Sequence, residues 1–378
     1  MLTPRDTRDL AEIVASAAAD GTKLELSGGG TKTDFGAPRQ SQIVALRQIA
    51  GIVDYDSAEL VLTVRPGTSL AEIDALIAAE GQMLAFEPWG DPAATIGGTV
   101  AAGVAGSRRV TAGSARDHLL GFTAVSGRGQ TFVAGAKVVK NVTGYDLPKL
   151  MAGSWGRLGA MTEITLKVLP RPRQTVTLAA RSITPEGAYA VMACALGSNA
   201  DVSAAAALPT GEVLLRVAGF AASVEARCVT LPRLLAGHCS FERMPEEEAA
   251  PLWRKAMSGD AVHGDILWDV HLPPRYATGL IKALEPLGIN WSMDWGGGRL
   301  WIGTDERGGQ VRDEAAKLGG EAKLARAPAE MRAHIPVFHP RQSGVAMLEQ
   351  RVRRAFDPAG VFVTGRFMED ADADQFPA

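Results

Sequence analysis

The sequence predicts an α+β protein: a first domain rich in glycine loops, followed by an α+β cap with a mostly antiparallel sheet. Three observations carry this expectation. Four glycine-rich or signature segments fall within the first 168 residues: SGGGTKTDFG, DPAATIGGTVAAGVAGSRRVTAGSARDHLLG, VVKNVTGYDLPKL and GSWGRLGAMTEITLKV. Pro170 and Pro172 then punctuate the chain. Beyond them the loops thin out and strands alternate plainly with helices. The boundaries read 1–172 for the first domain and 173–335 for the cap. Residues 336–378 form a C-terminal helix and a segment that returns to the first domain.

The elements follow in order. Thr3–Pro4 can start a helix whose apolar face is Leu10, Ile13, Val14 and Ala17, and Gly21 stops it. Lys23–Leu26 reads as a short strand entering the first glycine loop. Leu60–Arg65 alternates like a strand and Pro66–Gly67 turns. Ser69 then caps a helix with Glu72 three positions on, a capping box. That helix ends at Gly81, and Gln82–Phe86 reads as another strand. In the cap, strands are expected near Val213–Val217, Asp265–Leu272 and Leu300–Gly303. Helices are expected near Pro185–Leu196, Ser223–Leu235, Pro274–Leu284 and Gly309–Leu318, with a last one at Ser343–Phe356.

Composition narrows the function. The 378 residues are enough for two domains with cores of their own. A formal net charge of −3 argues against a dedicated binder of nucleic acid or anionic membrane. No apolar run reaches the roughly 18–20 residues of a membrane span. MLTPRDTRDL lacks the apolar centre of a signal peptide, so a cytoplasmic location is expected. Cys194, Cys228 and Cys239 form no CxxC and read as small buried apolar residues, not as cluster ligands. His263 and His271 bracket HGDILWDVH, whose spacing fits no standard zinc motif, and alternation through Ile266–Val270 favours a strand; no metal site is expected.

The chemistry lies in the glycine loops. A pyrophosphate wants many backbone N–H donors at close range, and glycine lets the backbone reach it. Gly28, Gly29 and Gly30, with Thr31 and Lys32, follow a strand and suit that work, although a plain tight turn explains them equally well. The loop has neither the GxGxxG of a Rossmann site nor the GK[ST] of a P-loop. In the second segment Asp91–Pro92 opens a turn, and Thr95, Ile96, Gly97 and Gly98 supply small backbone donors. Gly103, Gly106 and Gly113 keep the path bare. Arg108, Arg109 and Arg116 add charge, and Asp117 can accept from a ribose hydroxyl or an amide. Taken together the segments point to a bound dinucleotide; the alternative is a glycine-rich connector that merely packs.

These segments resemble the FAD-binding fold of the vanillyl-alcohol oxidase and MurB-like flavoproteins, the PCMH-type fold with two subdomains. More narrowly, VVKNVTGYDLPKLMAGSWGRLGAMTEITLKV is similar to the glycolate- and D-lactate-oxidising branch, and FDPAGVFVTGRF resembles that branch's FDPxGxxNPGR tail. The segment WSMDWGGGRLWI is most like the E-subunit family of glycolate oxidase. The resemblance covers roughly residues 3–172 and the tail. It implies non-covalent FAD, a small 2-hydroxy acid substrate, and a complex with a second flavin subunit and an iron–sulfur subunit, any membrane association being through those partners. By position it implies Gly28, Gly29, Gly30, Thr31 and Lys32 on the pyrophosphate. Asp91, Thr95, Ile96, Gly97, Gly98, Ser107, Arg109, Gly113 and Asp117 would line the flavin and ribityl chain. Gly156, Gly159 and Ile164 would close over the adenine side or the isoalloxazine edge. Lys140, Asn141, Thr143, Gly144, Tyr145 and Asp146 form the branch signature near the cofactor; otherwise Tyr145 is a packed ring and Asp146 a helix N-cap.

The sequence also departs from the family. Trp155 stands where GSEGTLG has glutamate, and Val363–Thr364 replace Asn-Pro before Gly365–Arg366. The first loop has no histidine and the second no cysteine for covalent attachment of the flavin. HGDILWDVH is a faint echo of the metal-binding HxGDGNxH of catalytic subunits. Three functions therefore stand: a flavin subunit that oxidises substrate or relays electrons, a non-catalytic assembly subunit stabilised by FAD, and a stand-alone oxidase of another hydroxy acid or alcohol. No residue is assigned as catalytic base. Trp253, Trp268, Trp291, Trp295 and Trp301 read either as a partner surface or as core.

Overall fold

The computed structural model describes residues 1–136, 144–305 and 309–368. The chain divides into two compact units. The first comprises Met1–Ala105, Gly113–Arg171 and the stretch from Pro340; the second comprises Gly106–Ala112 and Pro172–His339.

The first unit has two cores. In one, the helix Thr7–Asp20 lays Leu10, Val14 and Ala17 against the parallel strand pair Leu24–Ser27 and Gln42–Ala45. This helix starts later than Thr3–Pro4, because Leu2 is taken up in backbone bonding to Ile43 and Ala45. Asp6 caps it instead, accepting the Asp9 N–H at 2.9 Å, and Gly21 ends it in the left-handed region at φ 76°. The other core lies on an antiparallel five-stranded sheet. Its strands run in the order Ile52–Asp56, Val61–Val64, Ala160–Lys167, Leu119–Val125 and Thr131–Gly135. The helix Leu70–Ala79 packs Ile73 and Ile77 there. Ser69 Oγ accepts the Glu72 N–H at 3.1 Å. Ser69→Ala is expected to cost about 1 kcal/mol in chemical denaturation.

The strand expected over Gln82–Phe86 is shorter than its reading from sequence. Only Gln82–Met83 pairs, against Leu169–Pro170. Beyond Met83 the antiparallel register would call on Val168 and Lys167, which are already engaged: Val168 donates to the Leu60 carbonyl and Lys167 pairs with Val61. The chain then turns at Leu84–Glu87, burying Leu84, Ala85 and Phe86 in succession.

The second unit is an eight-stranded sheet, antiparallel at every pairing, as expected of the cap. Its order is Glu242–Met244, Gln174–Ala180, Val213–Gly219, Val202–Ala207, Asn290–Asp294, Arg299–Thr304, Ile266–His271 and Glu321–Arg326. Helices Pro185–Leu196, Ala221–Leu234, Ala277–Leu284 and Gly309–Lys317 cover one face, filling a core that contains Trp268. The helix Glu246–Ser258 packs Trp253 on a second cluster. Trp253, Trp268, Trp295 and Trp301 are all buried and Trp291 is half-buried against the core, so the tryptophans are core residues and not a partner surface. Among the described residues no helix is long and apolar enough to cross a membrane.

The strand reading of HGDILWDVH holds, and the strand explains its charges. Alternation sends Ile266, Trp268 and Val270 into the core and Asp269 to the other face. There Asp269 meets Arg299 (2.8 Å), His271 (3.0 Å) and Lys323 (3.3 Å). Burial alone would raise the Asp269 pKa; Arg299, then Lys323 and His271, outweigh it and hold the carboxyl well below its ordinary range.

Candidate functional site

The strand Leu24–Ser27 delivers the loop Gly28–Lys32 to the edge of an open cleft that lies wholly within the first unit and holds about 830 Å³ of empty space, its mouth included. Two of its glycines stand where the second glycine segment passes too close for a side chain. A Cβ on Gly28 would stand 2.3 Å from Thr95 Oγ1, and one on Gly29 would stand 1.9 Å from the Ala93 carbonyl oxygen. The first two glycine segments, which look independent along the chain, are thus pressed together. Gly97 does the same against Pro66, where a Cβ would lie 2.5 Å from Pro66 Cβ.

Gly28, Gly29, Gly30, Thr31, Lys32, Thr95, Gly97, Gly98, Gly156 and Gly159 all line this cleft. The other expected residues lie outside its lining and are engaged in the fold. Asp91 accepts the Ala93 N–H at 2.7 Å and so sets the turn that meets Gly29. Ile96 and Ile164 are fully buried in the sheet core. Asp117 accepts from the N–H and the hydroxyl of Ser114, both at 2.8 Å, and Gly113 (φ +81°) leaves room for its carboxylate. Ser107 and Arg109 belong to the second unit: Ser107 Oγ donates to Asp294 at 2.9 Å, and the Arg109 guanidinium sits 4.4 Å over the Trp295 ring.

Of the signature run, Lys140, Asn141 and Thr143 lie outside the described residues. Tyr145 is 94% exposed, so it is no packed ring. Asp146 is the N-cap of the helix Leu147–Met151, accepting the Lys149 N–H at 3.2 Å.

The cleft suits a dinucleotide on two counts. Among the described residues, the N–H groups of Gly29, Gly30, Thr31 and Lys32 donate to no protein acceptor, so four successive amides are available at the cleft edge. Beside them Lys32 adds an ammonium whose pKa is lowered by burial, with Asp91 opposing that shift. A pyrophosphate would satisfy the amides and the charge together.

Sequence reasoning left out several lining residues, four of which bear on the site's chemistry. Trp155 is held at φ +57° and stacks on Phe35, with ring centroids 4.2 Å apart and planes 5° from parallel. Arg366, which follows the Val-Thr departure from the family pattern, lines the cleft from the C-terminal segment. Glu25 lies at the base of the loop, and Pro66 forms part of the wall. Only Pro66, in its Pro-Gly turn, left a local signal.

Comparison with known proteins agrees with this geometry. Residues 1–135 match the FAD binding domain family. The chain is 34% identical over 362 residues to glycolate oxidase subunit GlcE of Escherichia coli, covering 94% of this chain and 96% of that protein. It is 32% identical over 186 residues to glycolate oxidase subunit GlcD of Bacillus subtilis, covering 48% of this chain and 39% of that one. Among solved structures, p-cresol methylhydroxylase with substrate bound superposes with a TM-score of 0.71 at 14% identity, over 96% of this chain and 87% of that one, a likeness of fold. FAD is therefore the cofactor. The chain belongs to the glycolate oxidase GlcE subunit family, FAD-linked oxidoreductases of the vanillyl-alcohol oxidase and p-cresol methylhydroxylase fold.

Proposed function

We propose that this chain is the flavin-holding subunit of an assembly that oxidises a 2-hydroxy acid, glycolate or D-lactate, to the 2-oxo acid. Electrons would leave through an iron–sulfur partner, beside a second flavin subunit. The end-to-end likeness to a glycolate oxidase subunit carries this reading, and the cleft supports it. In this reading the amides of Gly29–Lys32 and the Lys32 ammonium hold the pyrophosphate. The bare walls at Gly97, Gly98, Gly156 and Gly159 let the rest of the cofactor lie against backbone. Non-covalent attachment is part of this reading; among the described residues no histidine or cysteine lines the cleft. Bound FAD supplies the acceptor for the two electrons that leave the substrate's α-carbon. The protein's own contribution is to hold, orient and partly desolvate that acceptor.

A second reading, in which FAD is kept mainly as a structural ligand, is favoured by one observation. Among the described residues, the titratable side chains lining the cleft are Glu25, Lys32 and Arg366. Glu25 is already bound by Arg39 and Ser41, so it is a poor general base. An anaerobic absorbance titration separates the readings. The FAD-loaded chain alone is expected to keep its oxidised flavin band in glycolate or D-lactate and to bleach once the partner subunits are added. Bleaching of the chain alone would put a complete active site in this subunit. A band that stays oxidised even in the assembly would leave the structural reading.

A further inference from the structure

The loop Gly28–Lys32 has three consecutive glycines and four unspent amides, a combination with high conformational entropy. For such a loop to bind tightly, something else must hold its shape. Two arginines do so. Arg39 pairs with the carboxylate of Glu25 at the base of the loop, and its Nη1 donates to the carbonyls of Thr33 (3.0 Å) and Ala37 (3.3 Å). Arg366 comes from the far end of the chain. Its Nε donates to the Phe35 carbonyl at 2.8 Å and its Nη2 to the Lys32 carbonyl, 334 residues away in sequence. Its own carbonyl accepts the Ala37 N–H at 2.9 Å.

Other residues are fitted to this contact. Gly36 sits at φ +99°, and a Cβ there would stand 2.6 Å from the Arg366 carbonyl oxygen and 2.7 Å from its Cγ. Phe367 is 2% exposed and meets Phe35 and Trp155 edge-on, with centroids 6.4 and 6.1 Å apart. The Arg366 guanidinium lies 5.2 Å from the Trp155 ring centroid. Burial, with Arg39 adding to it and Glu25 opposing, brings the Arg366 pKa down to about 10, still charged at neutral pH. Trp155 and the Val-Thr before Gly365, both departures from the family pattern, thus lie in or beside one latch.

We propose that Arg366 is a positioning residue for FAD: by bridging the Lys32 and Phe35 carbonyls it pre-shapes the glycine loop, so that cofactor retention depends on the C-terminal segment. This rests on the reading that the loop holds the pyrophosphate. The charge alone is not enough, because lysine cannot span two carbonyls with a planar fork.

The test uses full-length Arg366→Ala and Arg366→Lys, with two readouts. The first is the FAD dissociation constant, by quenching of flavin fluorescence. Losing two hydrogen bonds to a charged donor is expected to weaken binding roughly 10- to 100-fold in Arg366→Ala, and roughly tenfold in Arg366→Lys. The second is hydrogen exchange of the FAD-free protein. The Phe35 and Ala37 amides, bonded to the Lys32 and Arg366 carbonyls, are expected to exchange faster in both variants, while the five-stranded sheet stays protected. Should Arg366→Ala fail to fold, Arg366→Lys decides. Wild-type affinity and wild-type loop exchange in Arg366→Lys would overturn the proposal, as would weakened affinity with unchanged exchange, which would make Arg366 a simple charge contact. Gly29→Ala distinguishes the two levels. If it keeps FAD, the loop reading itself fails; if it loses FAD while Arg366→Lys behaves as wild type, only the role of the arginine fails.

Discussion

Gly29→Ala is expected to give a folded protein that purifies almost free of FAD. The added Cβ would lie 1.9 Å from the Ala93 carbonyl oxygen, 2.8 Å from its carbon and 3.1 Å from Ala94 Cα. All three are backbone atoms, so no side chain can swing aside. Nor can the opposing turn easily retreat. Asp91 binds the Ala93 N–H through its side chain and the Ala94 N–H through its carbonyl, while Arg47 donates to the Ala93 carbonyl at 3.1 Å. The loop must lift instead, carrying the amides of Gly30, Thr31 and Lys32 out of hydrogen-bonding range. Losing two or three charge-assisted bonds is worth more than about 3 kcal/mol, or over 100-fold in affinity. The sheet core lies elsewhere, so the direct cost to the FAD-free fold should stay near 1–3 kcal/mol. Gly30→Ala is the contrast: its Cβ points into open space and only φ +74° is strained, so the loss should be much smaller. The flavin-to-protein absorbance ratio of each variant reads this out. A fully flavinated Gly29→Ala protein would remove the loop from the cofactor site.

The second large effect is on stability. Asp269→Ala should destabilise the second unit by about 3–5 kcal/mol, because it strands the buried Arg299 guanidinium without its carboxylate. Arg299 would still have the Met257 carbonyl at 3.1 Å and the faces of Trp301 and Trp295, but not the carboxylate that balances its charge. Asp269→Asn, which keeps the shape and removes the charge, should lose most of the same energy. Trp253, Trp268, Trp291, Trp295 and Trp301 all lie in this unit, so a denaturant titration followed by tryptophan fluorescence reports mainly on it. A midpoint within experimental error of wild type would show that the network is dispensable. The pH dependence has a definite sign. The folded Asp269 pKa is depressed, so its contribution is complete above the unfolded value of about 3.9 and fades only as pH falls through the folded value. Asp269 itself should leave stability flat between pH 5 and 8, whereas His271, whose pKa is lowered chiefly by burial, should cost stability as pH falls below its ordinary value of about 6.5.

Much of the fold was legible because its signals are local. Ser69, Thr184 and Gly21 mark helix ends through contacts within three or four residues, and the helices Pro185–Leu196 and Ser343–Phe356 lie where the periodicity put them. The stretch Val202–Ala207, VSAAAA, is the counterexample. Its alanines favour helix, yet it is an interior strand between Val213–Gly219 and Asn290–Asp294, fully buried but for Ser203. Burial on both faces of the sheet selected small residues there and overrode propensity.

The candidate site divides along the same line. The glycine positions, the turn at Asp91 and the N-cap at Asp146 are properties of short segments, and the sequence alone determined them, along with the family and its cofactor. Which of those segments share a cleft was decided by tertiary structure. Gly29 meets Ala93, Arg366 reaches Lys32, and Ser107 turns to Asp294, across separations of 64, 334 and 187 residues. Propensity and periodicity act over a few residues and carry no information about such pairings; they arise only when buried strands and cores fix distant backbones within hydrogen-bonding range.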